Sequence, residues 1–335
     1  MKTIVSLVAV VLVGLSSAAR AQNEQRLRDA FLSEAPQRWR ELPDDLGCHR
    51  IESQKVERRN ESGSKETVQR YRYTNLKSNG RELGSVEADQ GQGLYTKTVC
   101  INDRYAFLVT QSQAGKSWLL DRIDLHPTQG PEAEIGGYKL RGPKRNIYWW
   151  LTINNNLELT DLVANPTFKI TSASEQPISG QASEVRIEFT ATNLVKKVIE
   201  EKYTGWMQFD RSRHWALTGY EMTITSTRDA GGHAVYKCTH KFIDHPKGLP
   251  ISLKMVQEHK GYLTADKLFV STTTEMDTRY SADCPKESEF ELPAFGIAEP
   301  VGVAPKRNTL IWWFIGVGVI VALLGVYLLK RTGRI

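Results

Sequence analysis

The sequence lacks the short motifs that mark the common catalytic and cofactor sites. It has no G-x-S-x-G nucleophile elbow, no H-E-x-x-H zinc helix and no glycine-rich dinucleotide fingerprint. Gly115-Lys116-Ser117 ends like a phosphate-binding loop, but the position five residues before Gly115 is Thr110 instead of a glycine. The sequence therefore predicts no cofactor and gives no support for enzymatic activity.

A close set of metal ligands is also missing. Cys238-x-His240-x4-His245 would place two ligands on one side of a strand. A zinc site normally needs a fourth ligand at close spacing, and the sequence has none there. We expect no metal at this position.

The chain has no strong charge of one sign once its two ends are set aside. It contains 44 lysines and arginines against 38 acidic residues. Seven of the basic residues lie in 1–21 and 306–335, which contain no acid, so the rest is close to neutral. This balance argues against a basic surface that binds nucleic acid.

The N-terminus has the features of a secretory signal peptide. Met1-Lys2 precedes an apolar run from Ile4 to Leu15, and Ala19-Arg20-Ala21 ends the segment with small residues. We predict a signal peptide at 1–21 with cleavage after Ala21. An uncleaved anchor is the alternative, but a run of 12 residues is short for a bilayer.

Residues 310–329 form an uncharged apolar run of 20 residues, long enough for a transmembrane helix. Together with the signal peptide, this run predicts a single-pass type I membrane protein. Its bulk would be extracytoplasmic, periplasmic or at the cell surface, and 330–335 would form a cytoplasmic tail. The expected anchors at the membrane interface are Trp312, Trp313, Tyr327, Lys330 and Arg331.

The same run contains Gly318 and Ala322, a small-xxx-small spacing that allows two helices to approach closely. The spacing allows dimerisation through the membrane helix, but both residues are common in such helices in any case. Before the run, residues 285–309 contain four of the 13 prolines. We predict a semi-rigid stalk there.

The exported region, 22–284, carries all four cysteines, and an oxidising compartment permits disulfides. Four cysteines allow three connectivities. We favour Cys48–Cys100 and Cys238–Cys284, because each pair encloses one end of the region. Buried free thiols are the alternative.

Alternating apolar and polar residues dominate this region. Val185, Ile187, Phe189 and Ala191 alternate with polar residues, which is typical of a strand with one buried face. Similar patterns follow near Tyr71, Tyr105, Met207, Tyr236 and Ile251. The apolar phase of 215–224 switches at Gly219, which predicts a β-bulge.

Helical pattern is confined to two places. One is Glu24–Leu42, whose apolar stripe is interrupted by Pro36, and the other is Leu159–Val163. The predicted fold is thus mainly β: an antiparallel open barrel or strongly curved sheet with an N-terminal helix. One β domain or two joined near Gly130–Pro143 are both compatible with the pattern.

The order of signal peptide, amphipathic helix and successive amphipathic strands resembles the lipoprotein-localisation-factor and outer-membrane lipoprotein-sorting superfamily. That resemblance implies an unclosed β-half-barrel covered by helices, over most of residues 22–280. The segments 204–220 and 291–300 also resemble membrane-anchored proteins of planctomycete bacteria, from which no function transfers. The carriers of the superfamily are soluble or lipidated, so a membrane helix here departs from their pattern.

The leading hypothesis is a membrane-tethered binding module whose concave sheet face holds an apolar ligand, a lipid or an acylated peptide. The sequence does not single out the ligand-binding residues, and an ordinary dry core explains the same aromatic residues equally well. The alternative is an envelope interaction or sensor protein, and an enzyme with an unrecognised site is third.

Overall fold

The structure is a computed structural model of the full chain. It describes residues 2–43, 46–89, 93–113, 115–125, 134–135, 138–139, 148–153, 157–176, 184–192, 201–226, 232–245, 247–264 and 267–301. Of its two compact units, residues 1–297 contain all the elements below, and 298–335 form the other.

Thirteen antiparallel strands form one large curved sheet. The strands in chain order are β1 (His49–Glu61), β2 (Thr67–Ser78), β3 (Arg81–Asp89), β4 (Leu94–Ile101), β5 (Ala106–Gln111), β6 (Leu119–Asp124), β7 (Glu134–Ile135), β8 (Tyr138–Lys139), β9 (Thr152–Ile153), β10 (Leu157–Glu158), β11 (Lys169–Gln176), β12 (Glu184–Thr192), β13 (Glu201–Asp210), β14 (Ala216–Ser226), β15 (His233–Asp244), β16 (Pro250–Tyr262) and β17 (Leu268–Ser281). The two short pairs β7–β8 and β9–β10 lie outside the large sheet.

The large sheet runs in the order β11 to β17, then β1 to β6. Its first and last strands, β11 and β6, do not pair in the described part of the chain, so the sheet is not closed. The predicted curved, open antiparallel sheet is confirmed. Strands before and after residues 130–143 belong to this one sheet, because β1 pairs with β17 in its centre.

The predicted β-bulge lies where the apolar phase switches. Gln208 of β13 pairs with Gly219 of β14, but Phe209 pairs with Leu217, so Thr218 is the extra residue. The Thr218 hydroxyl donates to the Gln208 carbonyl oxygen at 3.1 Å. The insertion returns Leu217 to the buried face and explains the change of phase.

Two α-helices accompany the sheet: α1 (Lys2–Glu41) and α2 (Leu159–Ala164). Both predicted helices are confirmed, but α1 begins within the predicted signal peptide and is not broken at Pro36. Proline removes one backbone donor, while the Pro36 carbonyl accepts a bond from Arg40 Nε at 3.1 Å. Ala35 and Trp39, on either side, are fully buried and hold this turn against the sheet.

The second half of α1 packs onto the β11–β14 end of the sheet. Phe31 lies 5.0 Å from Phe209 and 5.7 Å from Trp215, measured between ring centroids. Trp39 donates its indole N–H to the Trp215 carbonyl at 3.0 Å. The buried aromatic rings on these elements therefore form a closed core without exposed surface.

The predicted stalk is wrong for its first half, which packs on the sheet. Residues 285–297, here called the C-terminal strap, form two short 3₁₀ turns, Glu287–Phe290 and Leu292–Phe295. The Phe290 carbonyl accepts a bond from Asn102 Nδ2 at 2.8 Å, and the Phe290 side chain is fully buried. Apolar residues between the prolines are the physical reason, because they gain more by burial than an extended stalk would allow.

The predicted disulfide pairing is also wrong. Cys48, before β1, is bonded to Cys284, after β17, with their Cα atoms 4.8 Å apart. Cys100 and Cys238 are buried free thiols. The pairing of β1 with β17 brings the two distant cysteines together, and no local pattern reports that contact.

Among the described helices, none is both long and apolar enough to cross a membrane. The predicted membrane helix at 310–329, its anchors, the tail at 330–335 and stalk residues 302–309 lie outside the described residues.

Candidate functional site

Strand register shows which residues share a face with α1. Directly paired residues in antiparallel strands point to the same side, and alternate residues along a strand do likewise. Ile51 of β1 belongs to the core beneath α1, so Ser53 and Lys55 lie on that helix-side face of the sheet.

Two neighbouring rows of side chains continue this face across β1 to β4. The first row is Lys55, Tyr71, Ala88 and Tyr95, and the second is Ser53, Tyr73, Val86 and Lys97. We call these eight residues the tyrosine trough. It lies on the same face as the core under α1, but none of its members belongs to that core.

The trough is mostly aromatic and apolar, and part of it is exposed to solvent. The rings of Tyr71 and Tyr73 stack with centroids 6.2 Å apart. Val86 is 38% exposed and Tyr95 is 43% exposed. Partial burial, with a smaller contribution from Glu57, raises the pKa of the Tyr71 hydroxyl, which donates to Gln69 Oε1 at 2.6 Å. These side chains offer an aromatic surface with a few polar groups, the composition of many ligand sites.

One lysine is held over the aromatic surface. Lys55 Nζ lies 5.3 Å from the centroid of the Tyr71 ring and 2.8 Å from Glu57 Oε2. Glu57 belongs to the next row, nearer the β1–β2 turn, where Gln69 is its partner across the strands. The charged residues of the trough itself are Lys55 and Lys97, and the charge of Lys55 is compensated by Glu57.

A chain segment crosses this face beside the trough. Trp149, in a 3₁₀ turn (Trp149–Leu151), lies 6.2 Å from the Tyr73 ring. Its neighbour Trp150 is fully buried and donates its indole N–H to the Pro250 carbonyl at 2.9 Å. Trp150 thus fixes the segment on the sheet, and Trp149 forms one wall of the trough. The indole nitrogen of Trp149 is buried and has no hydrogen-bond partner among the described residues.

The aromatic residues had two explanations, an apolar ligand site and an ordinary dry core. These explanations apply to different parts of one sheet face. Under α1, Phe31, Phe209 and Trp215 are between 0 and 1% exposed, which is a dry core. In the trough, Tyr71 and Tyr73 are only half-buried. The sequence alone does not separate these parts, because both are built from the same alternating pattern.

Cys238 and His240 lie on the helix-side face of β15, and their Sγ and Nε2 atoms are 3.4 Å apart. Burial raises the pKa of the Cys238 thiol to about 12 and lowers that of His240 to about 4. Both groups are therefore neutral near pH 7. His245 instead bonds the Tyr280 hydroxyl at 2.8 Å, and no cluster of three possible metal ligands occurs among the described residues.

A second concavity of about 610 Å³ lies beside α1, between its solvent face and Arg211. Its polar groups already bind one another. Glu34 accepts a bond from Arg211 Nη2 at 2.6 Å, and this bond lowers the pKa of the Glu34 carboxyl. Gln25 similarly donates to Asp29 at 2.9 Å. We therefore place the candidate site in the trough.

Sequence reasoning did not identify this site, although it recognised one of its strands. It assigned Tyr71 and Tyr73 to a strand, and that strand is confirmed as β2. It missed Lys55, Val86 and Tyr95. Alternation in β3 is weak, because Gly84 and Ser85 interrupt the apolar residues. The pairing of β1 with β2 is local, and its register could have suggested Lys55 as a neighbour of Tyr71.

A scan against protein-family models found no match, and a search of curated proteins found none. The solved structures to which the chain is similar include a DUF1329 family protein from Desulfovibrio piger, at 12% identity and a TM-score of 0.36 over 80% of this chain and 98% of that chain. Another is an outer-membrane lipoprotein-sorting protein domain from Vibrio parahaemolyticus, at 13% identity and a TM-score of 0.35 over 79% and 98% of the respective chains.

A third is a LolA superfamily protein from Nitrosomonas europaea, at 10% identity and a TM-score of 0.32 over 78% and 96% of the chains. Two of these three structures are described as lipoprotein-sorting or LolA superfamily proteins. A likeness of this degree says nothing about the site.

Proposed function

We propose that this protein is an extracytoplasmic binding module that holds an apolar ligand, such as the acyl chain of a lipid or an acylated peptide, in the tyrosine trough. In this proposal the predicted helix at 310–329 tethers the module to a membrane. The observation that supports it most is the half-exposed apolar surface of the trough. The rest of the same sheet face, under α1, is a closed core.

Exposed apolar residues in neighbouring positions support this function. Val86 and Tyr95 lie in adjacent rows of the trough, beside the stacked rings of Tyr71 and Tyr73. Scattered apolar residues on a surface need no explanation, whereas a contiguous apolar patch commonly marks a binding site. A chain laid along the trough would cover these side chains without displacing the core.

The trough is also rigid enough to present one shape. Ser53 at its edge is buried and shares a 3.0 Å hydrogen bond with Thr278 of β17. Trp149 is held by the buried Trp150 next to it. A preformed site loses less conformational entropy on binding than a flexible one.

The test is photo-crosslinking on the full chain in lipid vesicles, with a 12-carbon alkyl probe that carries a diazirine. We expect labelling of peptides that contain residues 71–97, followed by a marked loss of labelling in Val86→Lys. The matched control is Val68→Lys, because Val68 is also 38% exposed and lies on β2 but on the opposite face.

The control variant should label like the original chain. Labelling confined to other segments, or equal labelling of both lysine variants, would contradict the proposed function.

A further inference from the structure

We propose that the last strand of the sheet, β6, contacts a lipid bilayer and that the apolar ligand enters the tyrosine trough from the bilayer at this edge. This inference rests on the proposed function and adds the route by which the ligand is exchanged. It follows from three exposed leucines, Leu119 and Leu120 in β6 and Leu125 directly after it. We call these three residues the leucine edge.

The leucine edge exposes apolar side chains on both faces of the sheet. Leu119 is 61% exposed and Leu120 is 41% exposed, and consecutive residues of a strand point to opposite faces. Strand β6 pairs with β5 and with no other strand in the described part of the chain. An exposed apolar strand at a sheet edge promotes association, so folded proteins usually cover such a strand.

The other edge of the sheet, β11, is built differently. Helix α1 packs against it, and Arg28 Nη2 donates to the Thr171 carbonyl at 2.6 Å. The exposed side chains of β11 are polar, among them Lys169 and Glu175. The two edges therefore differ in chemistry, and the β6 edge is the one that calls for an apolar partner.

One row of the trough leads to the leucine edge. Lys97, at the β4 end of this row, pairs with Thr110 of β5, and Thr110 pairs with Leu119. Directly paired residues point to the same side of a sheet, so Leu119 lies on the trough face. The Thr110 hydroxyl donates to Asp121 at 3.1 Å, which satisfies this polar group within the sheet. An apolar ligand that crosses β5 along this row therefore passes one half-buried threonine.

The strap that precedes the proposed tether ends beside this edge. Phe295 of the C-terminal strap lies 5.0 Å from the ring of Trp118, the residue before β6. In the proposed function, residues 298–309 connect the strap to the membrane helix, and fully extended they span about 43 Å at most. A membrane surface within this reach is the apolar partner that the tether itself supplies, so we assign the leucine edge to a bilayer.

The charges around the leucine edge are balanced. Lys116, Asp121 and Arg122 are exposed, and Asp124 is half-buried. Contact with the bilayer should therefore depend on burial of apolar side chains and not on charged lipids. A neutral lipid is sufficient for the test, and the contact should change little with salt.

The first experiment tests the contact with the full chain in vesicles of phosphatidylcholine. A nitrobenzoxadiazole fluorophore is attached in the variant Leu119→Cys, and some lipids carry a nitroxide quencher on an acyl chain. Because the free thiols of Cys100 and Cys238 are buried, the fluorophore attaches at the new cysteine. The control is Leu263→Cys, since Leu263 is 50% exposed and lies in the turn between β16 and β17.

We expect the nitroxide to quench the fluorophore at residue 119 and not at residue 263. Equal quenching at the two positions, or none at residue 119, would overturn the bilayer contact. Disulfide-linked dimers of the unlabelled Leu119→Cys chain, in the absence of quenching, would assign the edge to a second copy instead.

The second experiment tests the route. The 12-carbon diazirine probe is added to vesicles that contain the full chain, and samples are irradiated at successive times. Leu119→Glu should slow the labelling of residues 71–97 about fivefold, because it removes apolar contact and adds a charge at the entrance. The final extent of labelling should stay the same, and Leu263→Glu should label at the original rate.

An unchanged labelling rate in Leu119→Glu would overturn the entry route and leave the apolar site standing. No labelling of residues 71–97 in the original chain would instead contradict the proposed function itself.

Discussion

Gly205 of β13 lies where two strands approach too closely for any side chain. A Cβ atom at this position would lie 2.1 Å from the Glu221 carbonyl oxygen and 2.8 Å from Met222 Cα. Both are backbone atoms of β14, so they cannot move aside like the end of a flexible side chain. The absence of a side chain at residue 205 is therefore a condition for the pairing of β13 with β14.

We predict that Gly205→Ala destabilises the protein by more than about 2 kcal/mol, because overpacking forces the backbone to shift. Urea unfolding monitored by tryptophan fluorescence measures the change. Gly219→Ala is the comparison with a milder clash. A Cβ atom at residue 219 would lie 3.2 Å from its nearest neighbour, the Cys238 carbonyl oxygen. An equal effect of the two substitutions would contradict this explanation.

His240 should make stability depend on pH. Burial lowers its pKa in the folded protein to about 4, from an ordinary value of 6.5. Between these values the unfolded chain binds a proton that the folded chain does not. Stability is therefore full above pH 6.5 and decreases as pH falls toward 4.

The difference between the folded and unfolded pKa values of His240 corresponds to a loss of about 3 kcal/mol in the free energy of unfolding between pH 7.5 and pH 4. His240→Leu should remove most of this loss when unfolding free energies are compared at the two pH values. His233→Leu, on the same strand, is the control and should keep the loss. Carboxylates contribute their own pH dependence, so the comparison between variants is decisive.

At the scale of elements, the sequence predicts the parts whose signal is local. The strand at 184–192, the helix at 159–164 and the bulge near Gly219 were all readable from apolar spacing. The C-terminal strap was not, because prolines at 285, 293, 300 and 305 suggest an extended segment. Phe290 and Leu292 between them are fully buried, which only the three-dimensional contact with the β4–β5 turn explains.

The cysteine pattern gives a direct test of the element arrangement. Alkylation of the denatured, unreduced chain should label two cysteines, Cys100 and Cys238, and reduction should raise the number to four. Peptide mass spectrometry identifies the labelled positions. The absence of labelling before reduction would restore the two-disulfide scheme and contradict the bond between Cys48 and Cys284.

At the scale of the whole molecule, the centre of the sheet is formed by strands that are far apart in the sequence. Its central strands are β17 and β1, which belong to opposite ends of the described sheet in sequence. The fold class was predictable, because alternation is present in nearly every strand. The order of the strands and the position of the trough were not, since pairing across more than 200 residues leaves no local pattern.

The bond between Cys48 and Cys284 also determines where the chain carries a mechanical load. Pulling α1 away from the C-terminal end sends the force through the two sulfur atoms, and the sheet within that loop bears none. In single-molecule pulling, the oxidised chain should lengthen only outside the loop. The reduced chain should release a further length of about 800 Å, because the two cysteines are 236 positions apart in the sequence. The tyrosine trough, which lies inside the loop, would keep its shape while the proposed membrane tether is under tension.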